Sequence, residues 1–428
     1  MTRTRRILGL LATSALIVAA CGGGTSSEAP SAAAPSTAAS AAPSAAAPSA
    51  VASAAPSAGA GEVPAGAMTE LGAGEGELNL IIWPGYAERG AVDPNYDWVT
   101  PFETKTGCKV NTIEMTDSNN GVSLMQSGQY DGGSFSGDAT SRLMAGGIVA
   151  PVNVNLIPNY ANIFEGLKMK THNSLNGVPY GVPHGRGPNL LAYNSDVVTT
   201  PQTSWDIVWN GGANGDGKVS VYDSSIYIAD AALHLMKTRP ELGITNPYQL
   251  NDAQFAAAIE LLTKQRDAGA LYWGTYTDQM ASYASGDVTS GTSWQFQVSL
   301  MQGEPDKLPI VGVLPDEGST GWSDTWMIAS QAKHPNCMYM WMDHIASAEA
   351  NGQATVWFGE APTSPQACAY AETLSPGHCD LTHATDEAYY DKVWYWATPQ
   401  ADCADTDAAT TCKDQDAWVE AWTTLRGA

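Results

Sequence analysis

Apolar residues recur along this chain at two spacings, and they alternate. Glu77-Leu-Asn-Leu-Ile-Ile-Trp83 is a near-continuous apolar run closed by Pro84-Gly85, the pattern of a buried strand. Asp97 to Thr106 reads as a helix, with Gly107 placed to close it. Cys108 to Ile113 reads as a second strand and Asn120 to Gln129 as a second helix. Tyr130-Asp131 then leads through a short strand into Ser136-Gly-Asp138, and Thr140 to Ala145 is helical again. Strand–helix alternation of this kind predicts a mostly parallel sheet with right-handed crossovers, so the fold class is α/β.

The pattern restarts after Gly181-Val-Pro183. Asn189 to Tyr193 and Lys218 to Tyr222 read as strands, followed by a helix from Ile226 to Lys237. Asp252 to Ala268 places Phe255, Ala258, Ile259, Leu262 and Gln265 on helical turns. Thr277 to Ser285 is helical, Val288 to Trp294 and Trp326 to Ser330 are strands, and Pro335 to Ser347 is a helix. Two α/β lobes with more than one crossover between them put a cleft at the carboxyl ends of the strands. No repeat of solenoid period is visible.

The first 66 residues have neither spacing. Arg3, Arg5 and Arg6 precede an apolar run from Ile7 to Ala20, which suits an export signal rather than a spanning helix. Val18-Ala-Ala-Cys21 resembles the bacterial lipobox, so residues 1–20 are expected to be a signal peptide and Cys21 a lipid-bearing N-terminus. Residues 21–66 are nearly all Ala, Pro, Ser and Gly, have almost nothing to bury, and read as a disordered tether. These features imply export and anchoring on the outer face of the cytoplasmic membrane. Roughly 360 further residues exceed one comfortable core, which again predicts two domains.

Charge narrows the partners. The net charge is −24, and it becomes more negative once the arginine-bearing leader is gone. No basic surface is available to neutralise phosphates, so nucleic acid is excluded, while cations are favoured. Fourteen Trp and seventeen Tyr against six Phe is a balance that suits a wet, ligand-lined cleft. Beyond Cys21 there are six cysteines, and an even number outside the cell implies disulfides. Short loops favour Cys368–Cys379 and Cys403–Cys412, which leaves Cys108 with Cys337. A zinc cluster lacks CxxC pairs or clustered Cys/His spacing, so no metal is expected.

Several short motifs keep their order with a known family. They are Leu80-Ile-Ile-Trp83-x-x-Tyr86, Phe102-Glu-Thr-Lys-Thr-Gly107-Cys-Lys-Val110, Gly128-Gln-Tyr-Asp131 and Tyr180-Gly-Val-Pro183. Thr203-Ser-Trp-Asp206, Ser290-Gly-Thr-Ser-Trp294, Trp322-Ser-Asp324 and Ala361-Pro-Thr-Ser-Pro365 follow. In this order they resemble the spermidine/putrescine-binding proteins of bacterial ABC importers, over about Leu78 to Ala397. The resemblance implies a periplasmic-binding-protein-like fold of type II, with two α/β lobes closing on one small solute for delivery to a membrane permease. It implies a monomer, no cofactor and no catalysis. Crossovers near Pro183 to Arg186, Gly321 to Trp322 and Pro362 to Pro365 would give lobes of 77–183 plus 321–363 and 184–320 plus 364–428.

The same resemblance suggests the site. Asp324 would grip an ammonium, and Trp322, two residues away on one strand, would lend a ring face to the same side. Trp83, Tyr86 and Trp294 would be further cleft rings, Ser136 a ligand hydroxyl and Asp138 an extra acid. Where spermidine receptors have paired acids after the Lys218–Tyr222 strand, this chain has Ser224 and Tyr227, with Asp223 beside them. Gly85 also replaces a family acid. Arg186 stands where the family tends to have an aromatic residue, and an arginine suits a carboxylate better than a polycation. The expected solute is therefore a polyamine or related amine, with a γ-aminobutyrate-like zwitterion as the alternative if Arg186 faces the cleft. Asn210 to Gly217 lacks the spaced acids of a calcium loop, and no GxSxG elbow supports a hydrolase.

Overall fold

The computed structural model describes residues 63–303, 307–403 and 411–427. The expected signal peptide, Cys21 and the tether up to residue 62 lie outside the described residues. None of the described helices is long and apolar enough to cross a membrane.

Two five-stranded sheets carry the fold. The first runs Lys109–Glu114, Glu77–Ile82, Gly132–Phe135, Thr325–Ile328, Gly181–Pro183. Its first three strands are parallel, while Thr325–Ile328 is antiparallel to both of its neighbours. Strand alternation sends Leu78, Leu80, Ile82, Trp326 and Ile328 to one face, where Val99–Thr106 and Pro335–Ile345 cover them. Ile81, Phe135 and Met327 face the other way, toward Leu143 and Met144 of Gly137–Ala145. The second sheet runs Leu271–Trp273, Val219–Tyr222, Ser290–Ser293, Leu190–Asn194, Ile310–Val313, again three parallel strands followed by antiparallel ones.

Helix ends follow from local sequence. Asp117 accepts from the N–H groups of Asn119 and Asn120 and starts Ser118–Gln126, two residues before the expected start. Asn251 and Gln254 form a capping box at Asp252–Asp267. Gly107 closes Val99–Thr106 at φ +73°, a conformation that only glycine adopts without strain.

A third sheet ties the halves together and was not foreseen. Ser319–Trp322 lies between Gly187–Pro188 and Val393–Tyr395, and Arg186 bridges to Ala361 beside it. The segments at 186–188, 319–322, 361 and 393–395 therefore run side by side. The helices within 364–428 pack in different places. Gly352 lets Pro365–Leu374 pack closely on Ala348–Phe358, since a Cβ there would meet the Ala367 carbonyl oxygen at 2.9 Å. Gln415–Arg426 instead buries Trp418, Trp422 and Leu425 in the second core.

The six cysteines pair as loop length suggests. Cys108–Cys337 has Cα atoms 5.8 Å apart, Cys368–Cys379 5.9 Å and Cys403–Cys412 5.5 Å. Gly74 of the entering chain lies against the first of these, and Glu75 accepts from the backbone N–H groups of Asn336 and Cys337.

Candidate functional site

Asp324 lies between sheets rather than on one strand. Ser319–Trp322 ends just before it and Thr325–Ile328 starts just after it, so the expected single strand carrying Trp322 and Asp324 together is not formed. The turn buries the Asp324 side chain, which is 2 % exposed. Its Oδ2 accepts from the Tyr86 hydroxyl at 2.7 Å, and its Oδ1 accepts from the Ser136 hydroxyl at 2.5 Å. Tyr86 reaches it because the chain turns after the first strand, with Gly85 at φ +87°. Ser136 reaches it from the N-cap position of Gly137–Ala145. Burial pushes the Asp324 carboxyl up to about 6, against the pull of both hydroxyls. Among the described residues, no lysine or arginine forms an ion pair with it.

His184 and Glu360 lie beside this group. The His184 ring packs on Tyr86, with centroids 4.2 Å apart. Its Nδ1 accepts from Trp326 Nε1–H at 2.9 Å, so in the neutral ring the proton is on Nε2. Burial drives the imidazole down to about 3, which keeps it neutral. Nε2 is 3.3 Å from Glu360 Oε1 but poorly aligned for a hydrogen bond. Among the described residues, neither Glu360 oxygen receives a hydrogen bond, and the side chain is fully buried. Burial, and then the Asp324 charge, raise its carboxyl well above the ordinary range. Sequence reasoning missed Glu360. The available signal was a lone acid between Gly359 and Ala361-Pro362 in an otherwise uncharged closing segment.

Rings cluster around Tyr86 and Trp322. Phe358 meets Tyr86 edge-on at 4.8 Å and Trp322 at 5.9 Å. Trp294 lies 6.5 Å from Trp322 and donates from Nε1 to Asn189 at 2.9 Å. Phe296, from the second half, stacks on Phe358 at 5.8 Å, so a ring pair joins the halves here. Among the described residues, the buried indole N–H groups of Trp83 and Trp322 have no acceptor. The structure thus brings Tyr86, Ser136 and Asp324 together and sets Trp322 and Trp294 near Phe358. Trp83 packs at the edge of the first half's cores.

Other expected site residues are engaged elsewhere. Asp138 is buried in the first turn of Gly137–Ala145, where it accepts from the Ser118 hydroxyl at 2.9 Å. Its carboxyl is raised by burial, and it adds negative potential at Asp324. Asp223 pairs with Arg426 at 3.0 Å and accepts from Trp422 Nε1 at 2.9 Å, which ties it to the last helix. Tyr227 ends a 3₁₀ turn, stacks on Trp209 at 5.6 Å and accepts from Gln265, all within the second core. Arg186 is 1 % exposed, with its guanidinium 3.6 Å over the Tyr390 ring. Its Nη2 donates to Glu387 at 2.8 Å and to the Ala384 carbonyl at 3.0 Å. Its two terminal nitrogens are thus engaged within the protein, whereas the buried Nε has no acceptor among the described residues.

Asp206, His234 and Glu317 have ligand atoms within 4.8 Å of one another. Glu317 is already engaged there, accepting from the Ser204 hydroxyl and the Trp205 N–H and facing Lys237 at 3.2 Å.

Known proteins share this architecture. A putrescine/agmatine-binding protein of Pseudomonas aeruginosa is 23% identical over 284 residues, covering 62% of this chain and 75% of that one. Among solved structures, a spermidine/putrescine ABC transporter substrate-binding protein of Streptococcus pneumoniae aligns with a TM-score of 0.63 at 15% identity. That alignment covers 82% of this chain and 97% of the other. A GABA receptor, Atu4243, aligns at 0.58 and 15%, covering 82% and 95%. These two likenesses concern the fold. Residues 97–375 match the family described as bacterial extracellular solute-binding protein, and the chain belongs to that family.

Proposed function

We propose that this chain is the solute receptor of an ABC importer, and that its solute is an aliphatic amine of the polyamine class held at Asp324. The carrying observation is a buried carboxylate that is hydrogen-bonded by the neutral hydroxyls of Tyr86 and Ser136 and, among the described residues, ion-paired with no lysine or arginine. A carboxylate in that setting is stabilised by a proton or by an ammonium, and an ammonium adds charge-assisted hydrogen bonds. Ring faces suit the methylene stem and the charge together. The name of the Pseudomonas aeruginosa relative supports the same ligand class. The zwitterionic alternative needs a cation for its carboxylate, and Arg186 is taken by Glu387.

In this reading the protein performs no chemistry. The two sheets are the cores of two lobes, hinged at the neighbouring passages through 184–189, 319–324 and 360–362. The solute bridges them and shifts the population toward the closed form, which docks on the permease. Cys21 carries the lipid, and the protein acts as a monomer. A thermal-shift panel of putrescine, spermidine, agmatine, γ-aminobutyrate and betaine tests the proposal. One amine should raise the melting temperature in a concentration-dependent way. Stabilisation by γ-aminobutyrate alone would overturn it.

A further inference from the structure

Among the described residues, the fully buried carboxyl group of Glu360 receives no hydrogen bond, and His184 Nε2 lies 3.3 Å from its Oε1. Its backbone is fixed: the N–H donates to the Thr355 carbonyl at 3.0 Å, and the carbonyl lies 2.9 Å from His378 Nε2. Gly185 presses on the side chain from the opposite passage, since a Cβ at that glycine would come within 2.3 Å of the carboxyl carbon. The carboxyl is therefore held in place by packing. The groups around it do not neutralise it. His184 is neutral and misaligned, Asp324 has the same charge, and Tyr86 already donates to Asp324. Arg186 lines the same crevice, together with Trp322 and Gln295, but it is bound to Glu387. An ionised carboxylate left in this state would be destabilised by many kcal/mol, so without a cation it holds a proton.

We propose that Glu360 is the second carboxylate of the solute site, and that it accepts hydrogen bonds from a cationic nitrogen of the solute. This rests on the amine reading given above and narrows it. Two acids, with the arginine beside them already in an ion pair with Glu387, favour a solute whose bound end is an ammonium or guanidinium. Asp324 has each oxygen taken by a hydroxyl, whereas Glu360 offers all of its acceptor capacity to the solute.

Titration calorimetry of the wild type and Glu360→Gln with putrescine and agmatine tests the proposal. Wild type should bind at least one of them. The variant should keep its amine-free melting temperature and lose roughly 10- to 100-fold in affinity, the usual range for a hydrogen bond to a charged group. Wild-type binding with Glu360→Gln within twofold would overturn the role of Glu360 and leave the amine reading standing. No binding of either amine, or of spermidine, by the wild type would overturn both. Should Glu360→Gln fail to fold, the difference infrared spectrum of the wild type at pH 7.5 decides. A protonated-carboxyl band should vanish when putrescine is added, and a spectrum with no such change would overturn the proposal.

Discussion

A carboxylate removed from water needs a proton or a cation, and this requirement governs Asp324. Because burial raises its carboxyl from 3.8 to about 6, the native state holds a proton that the unfolded chain releases across that interval. Its contribution therefore favours the native state at low pH and is lost as the pH rises through about 6. Amine binding should tighten over the same window, as the carboxylate becomes available to an ammonium. Asp230, raised to about 7, titrates nearby, so the useful quantity is the difference between wild type and Asp324→Asn. Melting temperatures from pH 4 to 8 with and without amine should show a pH-dependent shift in the wild type and a flat, small one in the variant. Arg186→Ala should leave amine affinity unchanged while destabilising the fold on the order of 1–3 kcal/mol, because a buried cation and its packing are lost. Weakened binding with unchanged stability would restore a ligand role for Arg186. That Asp324, Tyr86 and Ser136 come together was legible in the order of the sequence segments that carry them. That Arg186 and Tyr227 pair elsewhere was not, because sequence gives a position but not the direction of a side chain. Glu360 has no motif, and its burial depends on Gly185, 175 residues away in sequence.

At the scale of elements, strand–helix alternation was readable because each strand's apolar pattern and each helix cap are local. The third sheet was not readable. Its strands are two to four residues long, and Ser319–Gly321 pairs with Val393–Tyr395 more than seventy residues away. Strands of that length have no usable periodicity. The Cys108–Cys337 bridge closes a separation of 229 residues and ties the edge strand Lys109–Glu114 to the helix Pro335–Ile345. Removing both sulfurs in Cys108→Ala/Cys337→Ala should lower stability by roughly 2–5 kcal/mol in denaturant melts. Amine affinity should stay within about twofold, because the bridge lies in the first half's core and not among the rings around Asp324. A variant that loses binding but not stability would place the bridge in the site.

At the scale of the molecule, the proposed receptor would hinge where its two sheets are joined by three neighbouring passages, and the Phe296–Phe358 stack would act as a latch between its halves. A contact made only in the closed form biases the population toward closure. Phe296→Ala should therefore weaken amine binding several-fold and enlarge the amine-free particle in small-angle scattering, while the added amine still contracts it. The central claim is that this receptor takes an aliphatic amine at a buried carboxylate. The most direct test is a calorimetric titration of the purified protein with putrescine, spermidine and agmatine, run beside Asp324→Asn. Saturable one-site binding of at least one amine, lost in the variant, is the expected result. Failure of the wild type to bind any of them, or undiminished binding in Asp324→Asn, would contradict it.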